Sequence, residues 1–334
     1  MTARLNPARA RTLVRRFRRV RLAVLGDLVA DEFIYGRLDR VSREAPVLIL
    51  KYDSTEIVPG GAGNAAANAA ALGASVDVLG VVGADAAGRR LIEALPRGAK
   101  TTGVVRAGGF VTPVKTRILA GGVHSAKQQV VRIDKAGSAI RPAVARRVEQ
   151  TLARTLRRIH AVIVSDYGAG LVTPALWRRA VGAARMRRPP VSLVDSRYAL
   201  AGFTGMTACT PNEAEVEALL GIRINDDPAM LERAGRTLLD RLKCKAVLIT
   251  RGSRGMALFE PGRPTDQIPI VGSDEIADVT GAGDTVIATF TLAVAAGATF
   301  GEAARLANYA GGLVVMKRGT ATVSADELLA AVSE

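Results

Sequence analysis

The chain has 334 residues, 49% hydrophobic but only 4% aromatic, and carries a formal net charge of +15 at pH 7. That length holds one large α/β domain or two ordinary ones, with a core built from Ala, Val, Leu and Ile. No apolar run reaches the ~18 residues of a membrane span, Leu22–Gly26 is stopped by Asp27 and Asp31 before it can act as a signal peptide, and Cys209 and Cys244 make no disulfide framework or metal cluster, so a cytoplasmic protein is expected.

Residues 1–20 form a basic N-terminal arm, flexible or helical, with no chemistry of its own, ahead of a domain spanning 21–334. Further arginines fall on helix-like stretches, such as Arg146, Arg147, Arg154 and Arg157, or Arg178, Arg179, Arg185 and Arg187. Such a surface attracts nucleic acid or anionic membrane without specificity. No aromatic residues interleave to stack on bases. The arginines read as solvated helix faces, and neither a specific nucleic acid nor a membrane is expected as a partner.

Val20–Gly26 is apolar enough for a buried central strand. It ends at Asp27, where the carboxyl end of a parallel strand opens onto a ligand crevice. Between Phe33 and Val58 short β-branched runs predict strands of a small inserted sheet. Gly60-Gly61-Ala62-Gly63-Asn64 then leads into an alanine-rich helix over 65–72. The glycines allow close approach of a small ligand, and Asn64 offers a donor and an acceptor to hydroxyls. Asn68, one turn on, faces the same side or is a buried amide.

Val76–Val82 is the next core strand, and Gly83–Gly88 a loop into another helix. Val111–Leu119 and Gln128–Asp134 read as a hairpin around Gly121-Gly122, so a β lid is expected from about 33–59 and 110–135. Lys115 and Arg117 are two apart on a strand and share a face. Two cations there suit a phosphate, or simply an exposed strand.

A basic helix over Pro142–Ile159 precedes a strand, Ala161–Ser165, that ends at Asp166, and another, Val191–Val194, that ends at Asp195. Two strand ends that each deliver an Asp fit a crevice handling phosphate and metal. Thr210-Pro211-Asn212-Glu213 reads as a capping box with Pro at the first helical position. It would put Asn212 and Glu215 on one helix face. Val247–Thr250 is a strand into the glycine loop 251–255.

The stretch Asp278-Val279-Thr280-Gly281-Ala282-Gly283-Asp284 is followed by the apolar run 285–290. The glycines let backbone N–H groups converge at a helix start, which is an anion site. Asp284 in that first turn is placed to take a proton from a hydroxyl. A plain glycine turn with an acidic residue complementing the helix start is the other reading.

This stretch resembles the signature of the PfkB/ribokinase family of sugar kinases. Its Val-Thr order resembles the D-glycero-β-D-manno-heptose 7-phosphate kinases, and the likeness runs over 21–333. The resemblance implies a ribokinase-like three-layer α/β sandwich with a mostly parallel central sheet. It also implies phosphoryl transfer from ATP, with Mg²⁺, to C1 of that heptose phosphate, giving the 1,7-bisphosphate. A kinase for another sugar, sugar phosphate or nucleoside, and a sugar-binding protein without turnover, stay open as alternatives.

By the same resemblance Asp284 is the base, and the N–H groups of Gly281, Ala282 and Gly283 stabilise the transferred phosphate. Asp27, Gly60, Gly61, Asn64 and Asp166 fall on the sugar side, and Lys115 and Arg117, with Gln128–Asp134, on the sugar's own phosphate. Asp195, Asn212, Thr250, Gly252, Gly255 and Asn308 fall on the nucleotide side, and Asn212 with Glu215 orders Mg²⁺ through water. Ala169 stands where the family has Lys, and Arg197 replaces a second Lys. The chain is expected to be the kinase domain alone, without the nucleotidyltransferase domain of bifunctional relatives, and to form a homodimer through the lid. His124 and His160 are given no role.

Overall fold

The computed structural model describes residues 5–121, 127–271 and 278–333. The chain runs α1 (Pro7–Phe17), β1 (Arg21–Gly26), β2 (Leu28–Val41), β3 (Leu48–Gly61), α2 (Ala62–Ala71), β4 (Ser75–Gly83), α3 (Ala86–Ala94) and β5 (Ala99–Ala107). It continues with β6 (Val114–Gly121), β7 (Gln128–Lys135), α4 (Pro142–Leu156), β8 (Ala161–Asp166), α5 (Pro174–Ala184), β9 (Val191–Ser196) and β10 (Ala208–Cys209). The last part holds α6 (Glu213–Leu220), α7 (Pro228–Leu242), β11 (Ala246–Thr250), β12 (Met256–Phe259), β13 (Asp266–Ile268), α8 (Ala282–Ala295), α9 (Phe300–Val315) and α10 (Ala325–Ser333).

The main sheet has the order β13-β12-β11-β10-β9-β8-β1-β4-β5. Its strands pair in parallel from β5 through β11, and β12 and β13 add on antiparallel. The period-2 alternation of β1 shows why both faces are covered. Leu22 and Val24 pack with α2, α8 and α9 on one face, and Ala23 and Leu25 with α4, α5 and α7 on the other. Three layers result, as a ribokinase-like α/β sandwich requires.

The second sheet, β3-β2-β6-β7, leaves the main sheet at the carboxyl end of β1. Its β2–β3 hairpin is longer than expected, pairing from Leu28↔Gly61 to Val41↔Leu48. β6 runs parallel to β2 with Lys115 beside Asp31, and β7 closes antiparallel with Asp134 beside Lys115. Gly122 of the expected turn, and His124, lie outside the described residues. Among the described residues no helix is long and apolar enough to cross a membrane.

Two expectations need correction. The arm expected to be flexible or helical is helical where it is described, and it is not a solvated appendage: Pro7–Phe17 is a helix capped by Asn6, and its Ala10, Leu13, Val14 and Phe17 are buried in the core. The basic residues sit on the face away from those four, so charge concealed an amphipathic helix. Nor do Thr210 and Pro211 open α6. Asn212 is the N-cap, its Oδ1 accepting the Glu215 N–H while Glu215 Oε2 accepts the Asn212 N–H. The box starts two residues later because Asn212 first bridges to Thr250 beside β11.

Candidate active site

The carboxyl ends of β1, β8 and β9, the N-terminus of α8 and the root of the lid meet at Asp284. This residue is 3% exposed. Oδ2 accepts from Asn64 Nδ2 at 2.9 Å and Oδ1 from the Tyr167 hydroxyl at 3.0 Å. Burial pushes this carboxyl up to about 7, while the Asn64 and Tyr167 bonds pull it back. Asn64 is itself fixed: Asn68 Nδ2 donates to its Oδ1 at 3.0 Å, and Thr285 Oγ1 donates to Asn68 Oδ1 at 3.0 Å. Asn68 is thus a buried amide serving the site from behind.

Gly281 is the N-cap of α8 with φ +79°, and no side chain caps the first turn. A Cβ at that position would run into the Asn64 amide, so the turn needs glycine both for its left-handed backbone and for this approach. The Ala282 N–H is turned to the Val279 carbonyl at 3.3 Å. Asp278 ties the stretch down, its Oδ1 accepting from Thr280 N–H at 2.9 Å and its Oδ2 from Gly319 N–H at 3.1 Å.

On the lid side of Asp284, Asp31 of β2 is 5% exposed and accepts from Arg117 Nη1 at 2.7 Å and Thr320 Oγ1 at 3.2 Å. Gly60 of β3 makes room for that carboxylate, since a Cβ there would strike its Oδ2. Asp27 points elsewhere. Its Oδ2 accepts the N–H groups of Tyr167 at 3.0 Å and Ala169 at 2.9 Å, and its Oδ1 has no partner among the described residues. Burial foremost pushes Asp27 up to about 6, with the charge of Asp166 adding. Asp166 shapes the same loop, accepting from Gly168 N–H at 3.0 Å and Ser196 Oγ at 2.6 Å.

Two cavities flank this centre. One of about 370 Å³ lies under the lid, lined by Lys115, Lys135, Ser138, Tyr167 and Gly170 among others. Burial, then the nearby Arg197 charge, lowers the Lys115 pKa, against the opposing pull of Asp31 and Asp134. The other, of about 180 Å³, is lined by Thr250, Gly252, Gly255, Ala282, Gly283 and Asn308. It joins the glycine loop after β11 to the start of α8. The Asn308 amide donates to the Pro269 carbonyl at 2.7 Å and so stiffens the wall of that cavity.

Close to Asp284, Asp195 is pushed well up by burial, with Glu215 and Asp284 as neighbouring charges. Burial also raises Glu215, against its bond to the Asn212 N–H. The capping box engages Glu215 through Oε2 and leaves Oε1 outside the pair.

The sequence pattern of the pfkB family of carbohydrate kinases matches residues 22–327. The chain belongs to that family. The bifunctional protein HldE of Geobacter sulfurreducens is 42% identical over 308 residues, covering 92% of this chain and 61% of the relative. HldE of Caulobacter vibrioides is 39% identical over 324 residues, covering 96% and 65%. The chain therefore spans about three fifths of the length of curated relatives it matches. Among solved structures, Arabidopsis thaliana ribokinase complexed with ribose and ATP superposes with a TM-score of 0.73 at 21% identity, covering 94% of this chain and 99% of that one. Escherichia coli phosphofructokinase-2 in complex with fructose-6-phosphate gives 0.74 at 20%, covering 94% and 98%. At those identities the likeness is one of fold.

Within this pfkB-family chain, Gly281 and Asp284 lie against Asn64, Gly60 against Asp31 and Gly61 against Tyr167. Thr250, Gly252, Gly255 and Asn308 line one cavity; the Ala282 N–H, expected to face a phosphate, is bonded to the Val279 carbonyl instead. Lys115 and Arg117 separate, because Lys115 lines the cavity whereas Arg117 is paired in the interior. Asp27 and Asp166 are turned into the 167–169 loop. Sequence reasoning missed Asp31 and Tyr167. Asp31 was a residue of the first strand's exit, and only its pairing beside Lys115 puts it at the centre. Tyr167 directly follows the strand-end Asp166, and nothing local in the sequence directs its side chain.

Proposed function

We propose that this chain is an ATP-dependent kinase that phosphorylates the anomeric hydroxyl of D-glycero-β-D-manno-heptose 7-phosphate, yielding the 1,7-bisphosphate. The observation carrying the reading is a buried carboxylate, held on both oxygens, between a glycine-lined cavity at a helix N-terminus and a lysine-lined cavity under the lid. Asp284 takes the proton of the sugar hydroxyl as its oxygen bonds to the γ-phosphorus and the bond from that phosphorus to ADP breaks. The start of α8 meets the charge that develops on the transferred group. A pKa near 7 makes Asp284 an effective base at neutral pH rather than a permanently ionised one.

The sugar-side roles are reassigned on the geometry. Asp31, between Gly60 and Thr320, takes the sugar hydroxyls in place of Asp27, which holds the loop that carries Tyr167. Lys115 takes the substrate's own phosphate, and Arg117 keeps Asp31 in place. Thr250, Gly252, Gly255 and Asn308 form the nucleotide wall.

Among the described residues no group of three or more His, Cys, Asp or Glu side chains is arranged to hold a metal ion. Glu215 and Asp195, which are charge neighbours, are hard oxygen donors of the kind Mg²⁺ takes while it keeps several waters and binds substrate phosphates. Glu215 Oε1 and Asp195 would hold those waters, and Asn212 fixes Glu215 through the cap. Bound there, the ion would offset phosphate charge.

The lid exposes Val41, Leu48, Tyr52 and Ile133, with Tyr52 at 68%. A second copy of the chain covering this apolar end gives a homodimer. The deciding experiment is a kinase assay across heptose 7-phosphate, fructose 6-phosphate, ribose and nucleosides, with phosphorus NMR of the product. Preference for a neutral sugar sinks the substrate assignment; absence of ATP turnover with any acceptor sinks the kinase.

A further inference from the structure

The Tyr167 ring is enclosed by cations from two layers of the molecule. The Arg197 guanidinium carbon, from the loop after β9, is 4.4 Å from the ring centroid, and Lys115 Nζ, from lid strand β6, is 5.1 Å from it. An aromatic face attracts such charges, and the attraction grows where water is excluded. The ring edge lies beside Gly61, at ordinary contact distance from where a Cβ would stand. Its backbone N–H is anchored on Asp27 Oδ2 at 3.0 Å. Every attachment fixes the hydroxyl in one place, and there it donates to Asp284 Oδ1 at 3.0 Å, across from Asn64 on Oδ2.

We propose that Tyr167 is a positioning residue for phosphoryl transfer: its phenol sets the plane and the ionised form of the Asp284 carboxylate, and its ring ties the base to the lid through Lys115. The inference rests on the reading of Asp284 as the base. A hydrogen bond to the charged form of an acid favours that form. The other groups facing Asp284 divide: Arg197 favours ionisation, Asp31 of β2 and Asp195 of β9 oppose it, and Asn64 of α2 is a neutral donor. Burial and the Asp284 charge push the Tyr167 phenol well up, so it remains a donor across the neutral range.

The test is Tyr167→Phe, which keeps the ring between its cations and deletes only the donor. The Asp284 carbonyl stretch is followed by infrared difference spectroscopy against pH in the full-length protein without substrate, assigned by its loss in Asp284→Asn. In parallel, kcat and both KM values are measured against pH with ATP-Mg and whichever acceptor of the panel is turned over. The expected result is an Asp284 midpoint at higher pH than in the parent. With it, kcat falls about tenfold near pH 7, the size of one lost hydrogen bond, the deficit shrinks towards alkaline pH, and KM for ATP stays the same. An unmoved midpoint overturns the proposal, whether or not any acceptor is turned over. So does an equal loss at every pH accompanied by a lower Tm, which marks a merely structural tyrosine. Failure of the whole panel with a shifted midpoint removes the substrate reading and leaves the positioning of Asp284 standing.

Discussion

Asp284 and Arg117 show how a charged side chain acquires its role only once its partners are known. Asp284→Asn keeps an oxygen to accept from one neighbour and an amide to meet the other, so the fold survives. Turnover should fall by roughly 10²–10⁴-fold with nucleotide affinity kept, read from kcat and an ATP-binding titration; a near-normal kcat removes Asp284 from the base role. Arg117 is 7% exposed and its partner Asp31 5%. Breaking a buried pair from one side strands the other charge, so Arg117→Ala should cost about 3–5 kcal/mol in urea unfolding. Lys115→Met should leave stability close to the parent and lower kcat/KM for a sugar phosphate about ten- to a hundredfold, the worth of one charged hydrogen bond. Activity on an unphosphorylated sugar, which offers no phosphate to hold, should fall less, by only what the lost contact with the Tyr167 ring costs. If Arg117→Ala instead unfolds like the parent and loses only phosphate selectivity, the division of labour between the two cations is reversed.

At the scale of elements, helix α1 and the α6 cap matter most. Phe17 is fully buried against the layer that contains α8 and α10. Removing a buried phenylalanine costs about 3–5 kcal/mol. Deletion of residues 1–17 should therefore lower Tm sharply and expose apolar surface to a dye. A shortened chain that melts with the parent contradicts the packing of α1. For α6, Glu215→Gln keeps an acceptor for the Asn212 N–H, so the capping box holds. The same change withdraws the charge that orders water around Mg²⁺, and a magnesium titration of activity should move to higher concentration while Tm stays in place. An unchanged titration takes Glu215 out of the metal site.

For the whole molecule, pH links stability to function with opposite signs. Asp27 and Asp284 lie at about 6 and about 7 in the folded chain, against an ordinary 3.8. Between those values the folded state binds more protons than the unfolded one, so stability falls as pH rises from about 4 to about 7 and levels off above. The carboxylates held low by arginine or lysine, such as Asp39 and Asp53, are at the surface and contribute little. Tm should thus be higher at pH 5.5 than at pH 8, with a shallower slope in Asp284→Asn, while kcat rises over the same interval. A Tm that climbs with pH through this range contradicts the burial of both carboxyls. Light scattering of the full chain tests the lid contact: Leu48→Asp should give monomers if a second copy covers the lid's apolar end.

The sequence by itself determined the α/β alternation, the buried first strand, the lid hairpins and the glycine turn that opens α8, because each depends on local periodicity or on backbone freedom within a few residues. It also determined the family, through a seven-residue stretch whose spacing is set by one helix start. What it left open was every question of which distant side chain a polar group faces. Asp27 and Asp31 are alike in sequence, both acidic and only four residues apart, the first just after β1 and the second early in β2. Only the parallel pairing of β2 with β6 gives Asp31 to Arg117, and only the loop after β8 takes Asp27 away from the crevice. The packing of the N-terminal helix was hidden for a related reason. Its arginines are visible in any window, whereas the burial of Leu13 and Phe17 exists only once α8 and α10, at the far end of the chain, have folded against them.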